Sequence, residues 1–201
     1  MKVKLSKIAI LLIALIVISS CGTRKENEKM IDYKESKEVT NYVKLEMVNG
    51  DEVLIELYPD IAPITVANFK KLVQAKFYDG LIFHRVILNF MIQTGDPLGN
   101  GTGGSAEKIT GEFTNNDIVN NLSHTKGVVS MARRGDDNNS ASSQFFICQA
   151  DANFLDGDYA AFGKVIDGLA TVDKIAKVRV DSNDKPLTEQ KIKSITFINI
   201  K

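Results

Sequence analysis

The run Phe83-His84-Arg85-Val86-Ile87-Leu88-Asn89-Phe90-Met91-Ile92-Gln93-Thr94-Gly95-Asp96 decides the reading of this chain. Up to Gln93 it reads as two strands, and it closes on a Gly-Asp turn. It sets one arginine a few residues ahead of an apolar pair and a glutamine. In a strand, alternate side chains share a face, so Met91 and Gln93 lie together. About fifty residues on stands Ser143-Gln144-Phe145-Phe146-Ile147, where the same alternation places Gln144 with Phe146 and turns Phe145 into the core. A third run follows, Phe154-Leu155-Asp156-Gly157-Asp158-Tyr159-Ala160-Ala161-Phe162-Gly163.

The pattern around these runs is mostly that of strands. Val43, Leu45 and Met47 alternate with Lys44 and Glu46. After Asn49-Gly50, Val53, Ile55 and Leu57 alternate with Leu54 and Glu56, which is the signature of a hairpin. Gly127–Ala132, Gln144–Gln149, Phe162–Ile166 and Ser194–Ile200 read as further strands. Two helices are expected. One opens at Pro63 and runs to about Lys76 with Val66, Phe69 and Val73 on one stripe; the other carries Leu169, Val172 and Ile175. Many strands with two helices, and no internal repeat, point to a mainly β protein: a closed antiparallel barrel capped by helices.

The three runs, in this order, resemble the cyclophilins, and the likeness extends from Asn41 to the C-terminus. The resemblance implies an eight-stranded closed barrel and peptidyl-prolyl cis-trans isomerase activity. It implies Arg85 as the catalytic residue, with Phe90, Met91, Gln93, Ala132, Arg133, Gln144, Phe146, Phe154, Leu155 and Tyr159 as the substrate-binding set. Three positions depart from the usual pattern. Phe154 stands where eukaryotic relatives usually carry tryptophan, Tyr159 where a pocket histidine is usual, and Arg133-Arg134 where many relatives show Asn-Ala. These departures resemble bacterial members and bear on cyclosporin binding more than on catalysis.

The chemistry suits the residues. An Xaa-Pro bond has a barrier of about 18–20 kcal/mol that is lost amide resonance, and the prolyl nitrogen regains a lone pair as the bond twists. A catalyst needs a donor aimed at that nitrogen, an apolar pocket for the ring and hydrogen bonds that hold the flanking peptide. Arg85 is an always-charged planar donor. No metal and no cofactor is required.

Other motifs carry less. Gly99-Asn100-Gly101-Thr102-Gly103-Gly104 fits G-x-G-x-x-G but lacks the flanking strand and helix of a dinucleotide site; the resemblance places it as a loop beside the groove. His84 and His124 stand in no metal-ligand spacing and are expected as hydrogen-bonded structural residues. No G-x-S-x-G elbow supports a hydrolase. Asp136-Asp137-Asn138-Asn139-Ser140 lacks the glycine and glutamate of a calcium loop. Cys148 lies in an apolar strand as a small hydrophobe.

Charge and the N-terminus bound the setting. The 201 residues hold 25 basic and 25 acidic side chains, with 17 and 20 from Asn41 onward, a net of −3 that does not suit a phosphate backbone. Lys2, Lys4 and Lys7 precede an apolar stretch from Ile8 to Ile18, which is short for a membrane span and suits a signal peptide. Ile18-Ser19-Ser20-Cys21 resembles the lipobox of bacterial lipoproteins, in which the cysteine becomes the lipidated N-terminus. The expected organisation is a lipoprotein signal peptide over 1–20, lipidated Cys21 with a charged tether over 21–40, and an isomerase domain over 41–201. The expected place is the outer face of a bacterial membrane, held there by the lipid. The expected partners are Pro-containing unfolded or exported proteins, with no nucleic acid, and the chain is read as a monomer. The competing reading is a Pro-segment binding module without turnover, against which Arg85 argues.

Overall fold

The computed structural model describes residues 31–201. The expected signal peptide, Cys21 and the expected tether up to residue 30 lie outside the described residues. The fold is mainly β, with two helices. Nine strands follow in sequence: β1 (Tyr33–Glu35), β2 (Tyr42–Met47), β3 (Glu52–Leu57), β4 (Arg85–Ile87), β5 (Met91–Thr94), β6 (Val128–Met131), β7 (Phe145–Cys148), β8 (Ala161–Asp167) and β9 (Ile192–Ile200). Helix α1 (Pro63–Gln74) lies between β3 and β4, and α2 (Leu169–Ala176) between β8 and β9. All named pairings are antiparallel, in the order β1-β9-β2-β3-β8-β6-β7-β5-β4.

Two expectations are corrected here. The sheet has nine strands, not eight, and the named pairings leave its order open between β1 and β4. Near β4 the isolated bridge Ile82↔Lys191 replaces a ladder. The extra strand, β1, comes from residues read as tether, and its charges explain why it docks. Glu46 and Glu52 stand directly opposite each other on β2 and β3, a repulsive pairing. Lys44 lies 3.3 and 3.5 Å from them and 3.1 Å from Glu35 of β1, while the Tyr33 hydroxyl donates to Glu52 at 2.6 Å. Lys44 is thereby buried although it points away from the core.

The β2–β3 hairpin turns at Asn49-Gly50 as expected. Gly50 takes φ +85°, and the Gly50 N–H donates to the Met47 carbonyl at 2.9 Å. Inside the sheet, the rings of Phe69, Tyr78, Phe145 and Phe162 pack at centroid distances of 5.2–5.4 Å. Helix α1 buries Val66, Phe69 and Val73 against them. Its N-terminus has no side-chain cap from Ala62. The carboxylate of the distant, buried Glu112 accepts instead from the N–H groups of Ile64 (2.9 Å) and Thr65 (2.7 Å), where the helix dipole favours negative charge. In α2, Val172 and Ile175 join the same core.

A second apolar cluster forms outside this core. Met91, Val128, Phe146, Cys148, Ala152, Leu155 and Ala161 are its buried members, with Phe90, Ala132 and Tyr159 packed against them. It underlies the groove described next.

Candidate active site

Strand register assembles the site. Arg85 on β4 faces Gln93 on β5, Gln93 faces Phe146 on β7, and Phe146 faces Ser130 on β6. The alternate row, Val86, Ile92, Ile147 and Val129, belongs to the main core. Period-two geometry therefore brings Arg85, Gln93 and Phe146 into one line on the outward face. The β4–β5 turn passes through Asn89 at φ +62°, a conformation that asparagine tolerates, and the Asn89 N–H donates to Gln149 at 2.8 Å.

This face opens into a groove of about 300 Å³. Arg85, Phe90, Met91, Gln93, Ala132, Arg133, Phe146, Leu155 and Tyr159 line it, together with His84, Asn100, Gly101 and Asn183. Two of the expected residues stand apart. Gln144 lines an adjoining cavity and touches this groove's lining, as in its bond with Gln93, whose Nε2 donates to Gln144 Oε1 at 2.8 Å. Phe154 sits on the rim, 72 % exposed, its ring centroid 5.3 Å from that of Phe90.

The groove's polar groups are held differently. Arg85 donates no hydrogen bond among the described residues; its Nε lies 3.5 Å from the Asp184 carboxylate. Arg133, by contrast, is occupied. Its Nε donates to the Asp158 carbonyl and its Nη1 to the Arg134 carbonyl, both at 2.9 Å. Its guanidinium lies 4.9 Å from the Tyr159 ring centre and 5.2 Å from that of Phe113. It braces Tyr159, which meets Phe146 edge-on at 5.9 Å.

His124 supports Phe146 from the other side, stacked at 6.1 Å with 18° between the planes. Its Nδ1 pairs with Asp156 Oδ1 at 2.8 Å and its Nε2 with Ser130 Oγ at 2.9 Å. The contacts are those of a hydrolytic triad. Ser130 and His124 are buried, however, so no substrate reaches them and the network works as a brace. Burial lowers the His124 pKa, opposed by Asp156. Burial works against ionisation of Asp156, but hydrogen bonds from Ser123, His124 and Asn153 outweigh it and hold its pKa down to about 2.

His84 corrects an expectation. It is buried beside Arg85, and neither ring nitrogen has a partner among the described residues. Burial lowers its pKa, against the pull of Asp96. Cys148 is buried too, and burial pushes its thiol up to about 12, which removes it as a nucleophile.

The glycine-rich loop is built around buried Asp96, whose carboxylate accepts from the N–H groups of Leu98 (2.8 Å), Asn100 (3.0 Å) and Gly101 (2.6 Å). Those donors are spent, so the loop does not cradle phosphate. The Gly101 and Gly103 carbonyls accept from Gln144 Nε2 instead, at 3.1 and 2.7 Å. Gly95, at φ +88°, leads into the loop so tightly that a Cβ there would meet the Ser143 carbonyl oxygen at 2.3 Å. Among the described residues no group of three His, Cys, Asp or Glu side chains converges to hold a metal ion.

Sequence reasoning missed His84, Asn100, Gly101 and Asn183 as groove residues. The first three lay in runs already singled out; nothing near Asn183 signalled its approach to β4.

Comparison with known proteins agrees with this geometry. Residues 42–197 match the family model for cyclophilin type peptidyl-prolyl cis-trans isomerase/CLD. Peptidyl-prolyl cis-trans isomerase 10 of Caenorhabditis elegans is 46 % identical over 156 residues, covering 77 % of this chain and 94 % of that one. Peptidyl-prolyl cis-trans isomerase ppi1 of Schizosaccharomyces pombe is 45 % identical over 142 residues, covering 70 % and 89 %. A crystal structure of a Cryptosporidium parvum cyclophilin type isomerase, determined in the presence of the dipeptide Ala-Pro, superposes with a TM-score of 0.71. It is 32 % identical and covers 78 % of this chain and 98 % of that one. Sequence, fold and groove thus converge, and the chain belongs to the cyclophilin-type peptidyl-prolyl cis-trans isomerases.

Proposed function

We propose that the groove isomerises Xaa-Pro bonds with Arg85 as its catalytic donor, and that the protein does so for exported clients at the outer face of a membrane. The observation that carries the reading is the register line Arg85–Gln93–Phe146, which sets a guanidinium with no hydrogen-bond partner among the described residues beside an apolar floor. The prolyl ring enters against Phe90, Met91, Phe146 and Leu155. Gln93, steadied by Gln144, holds a substrate carbonyl, and Ala132 leaves room for the backbone. Arg85 donates to the prolyl nitrogen as it pyramidalises, an interaction stronger in the twisted state than in either planar one. Both isomers bind similarly, so the gain appears in rate. Tyr159 and Arg133 brace the floor, and Phe154 forms the rim.

The location rests on the N-terminal sequence. A basic start, a short apolar stretch and Ser19-Ser20-Cys21 support a lipoprotein signal and a lipid on Cys21. The charged residues that follow lead to β1. The clients are then unfolded or newly exported chains containing proline. The chain needs no cofactor and acts as a monomer.

Exchange NMR on an Ala-Pro-containing peptide tests the site. Sub-stoichiometric protein should produce cis–trans exchange peaks, with shifts at the Phe90, Met91 and Gln93 amides. Peptide binding with shifts at those amides but no accelerated exchange would refute the roles assigned.

A further inference from the structure

The segment after α2 carries a turn that the catalytic proposal does not use. Asp181 organises it: its carboxylate accepts from the N–H groups of Asn183 (2.8 Å) and Lys185 (3.0 Å), and its own N–H donates to the Lys185 carbonyl at 2.8 Å. The turn is pinned at two further points. The Val86 N–H of β4 donates to the Asp184 carbonyl at 2.8 Å, and Lys185 Nζ donates to the Gly99 carbonyl at 3.0 Å. Asp184 itself sits at φ +61°, a left-handed conformation unusual for a residue with a side chain. The result is a carboxylate held 3.5 Å from Arg85 Nε, with no other hydrogen-bond or ion-pair partner among the described residues.

We infer that Asp184 is a positioning residue that orders the Arg85 guanidinium through Nε and leaves its terminal N–H groups for the substrate. The inference rests on the proposed role of Arg85. A half-exposed arginine samples many rotamers, and confining it costs side-chain entropy. A carboxylate carried on a backbone-pinned turn supplies that confinement before substrate arrives. Contact at Nε is the arrangement that does so without competing for the two terminal nitrogens, which carry four of the five N–H donors. The bond from the Val86 N–H to the Asp184 carbonyl anchors this residue beside the strand that carries Arg85.

A double-mutant cycle tests this. Asp184→Gly removes the carboxylate while suiting the left-handed backbone, and Asp184→Asn keeps an acceptor in a residue that also tolerates it. Asp184→Gly should lower the exchange rate of bound peptide about five- to tenfold, the size of a contacting-pair coupling, with peptide affinity unchanged. Asp184→Asn should recover part of that loss. In an Arg85→Ala background, Asp184→Gly should change nothing further. Thermal melts establish that each variant is folded. Wild-type turnover in Asp184→Gly, or the same fold-loss in both backgrounds, would overturn the inference. A failure of Arg85→Ala itself to slow exchange would instead overturn the role of Arg85, so the two failures are distinguishable.

Discussion

Replacing Lys44 with methionine should loosen β1 and leave the groove intact. Lys44 is 6 % exposed and sits among three carboxylates, so its removal is not a surface change. The partners fare unequally. Glu46 keeps Lys193 at 2.6 Å, and Glu52 keeps the Tyr33 hydroxyl at 2.6 Å. Glu35 has no other ion-pair or hydrogen-bond partner among the described residues, and it is the one carboxylate of the three on β1. The loss therefore falls on the docking of β1, which the three residue pairs Tyr33↔Ile200, Lys34↔Asn199 and Glu35↔Ile198 hold to β9.

Glu35 is exposed, so its pair with Lys44 contributes at most about 1 kcal/mol. The Lys44 ammonium also lies 5.8 Å from the Tyr33 ring centre, a contact of about 0.5–1 kcal/mol. Methionine fills a similar volume without a desolvation cost, which offsets part of this. A net loss of about 1 kcal/mol makes opening of β1 roughly fivefold more frequent. Amide hydrogen exchange reads it at two reporters: the Ser36 N–H, which donates to Phe197 at 2.8 Å, and the Lys201 N–H, which donates to Asp32 at 3.0 Å. Both should exchange about fivefold faster, while Val129 and Ile147 amides and isomerase turnover stay at wild-type values. Unchanged protection at Ser36 and Lys201 would show that the backbone ladder alone holds β1 and that the ion cluster is incidental.

Cys21→Ala should move the expressed protein out of the detergent phase or leave its signal uncleaved, because stable membrane anchoring needs more than one acyl chain; identical partitioning and mass for wild type and variant would remove the lipoprotein reading. Stability should fall on acidification below the ordinary histidine pKa of 6.5, because burial lowers the folded-state pKa of His84 and His124 and the unfolded chain then binds more protons. Each histidine contributes at most about 1.4 kcal/mol per pH unit down to its folded-state pKa. Denaturant melts from pH 7 to 5 should show the slope, and His84→Gln or His124→Gln should flatten it. A flat wild-type profile contradicts the assignment.

All the strands but β1, and both helices, are legible because their signals are local. Asn49-Gly50 between alternating runs, Pro63 ahead of an apolar stripe, and the alternation that separates Phe145 from Phe146 are each contained in a few residues. The same alternation places Met91 with Gln93 and Gln144 with Phe146; the pairing of β4, β5 and β7 adds Arg85 and makes Arg85, Gln93 and Phe146 a line. What was missed depends on distant partners. Tyr33–Glu35 looks like solvated spacer until Lys44 and Glu52 are brought over it. His84 looks like an ordinary structural histidine until the strand buries it without a partner. Asp184 carries no sequence signal, and only the backbone bond from Val86 brings it to β4. Gln144 has the expected side, but the glycine-rich loop supplies carbonyls that draw its amide away from the main groove.

The proposed role of Arg85 is to act on the twisted amide rather than on the bound peptide. The direct test is Arg85→Ala, with cis–trans exchange of a Xaa-Pro peptide and its affinity measured on the same sample. Removing a preorganised donor of this kind costs about 10²–10³ in rate. Turnover should fall by that order while affinity falls far less, and Arg85→Lys should recover little because an ammonium cannot reproduce the planar fork. Near-wild-type exchange by folded Arg85→Ala, or a loss of affinity that matches the loss of rate, would contradict the account.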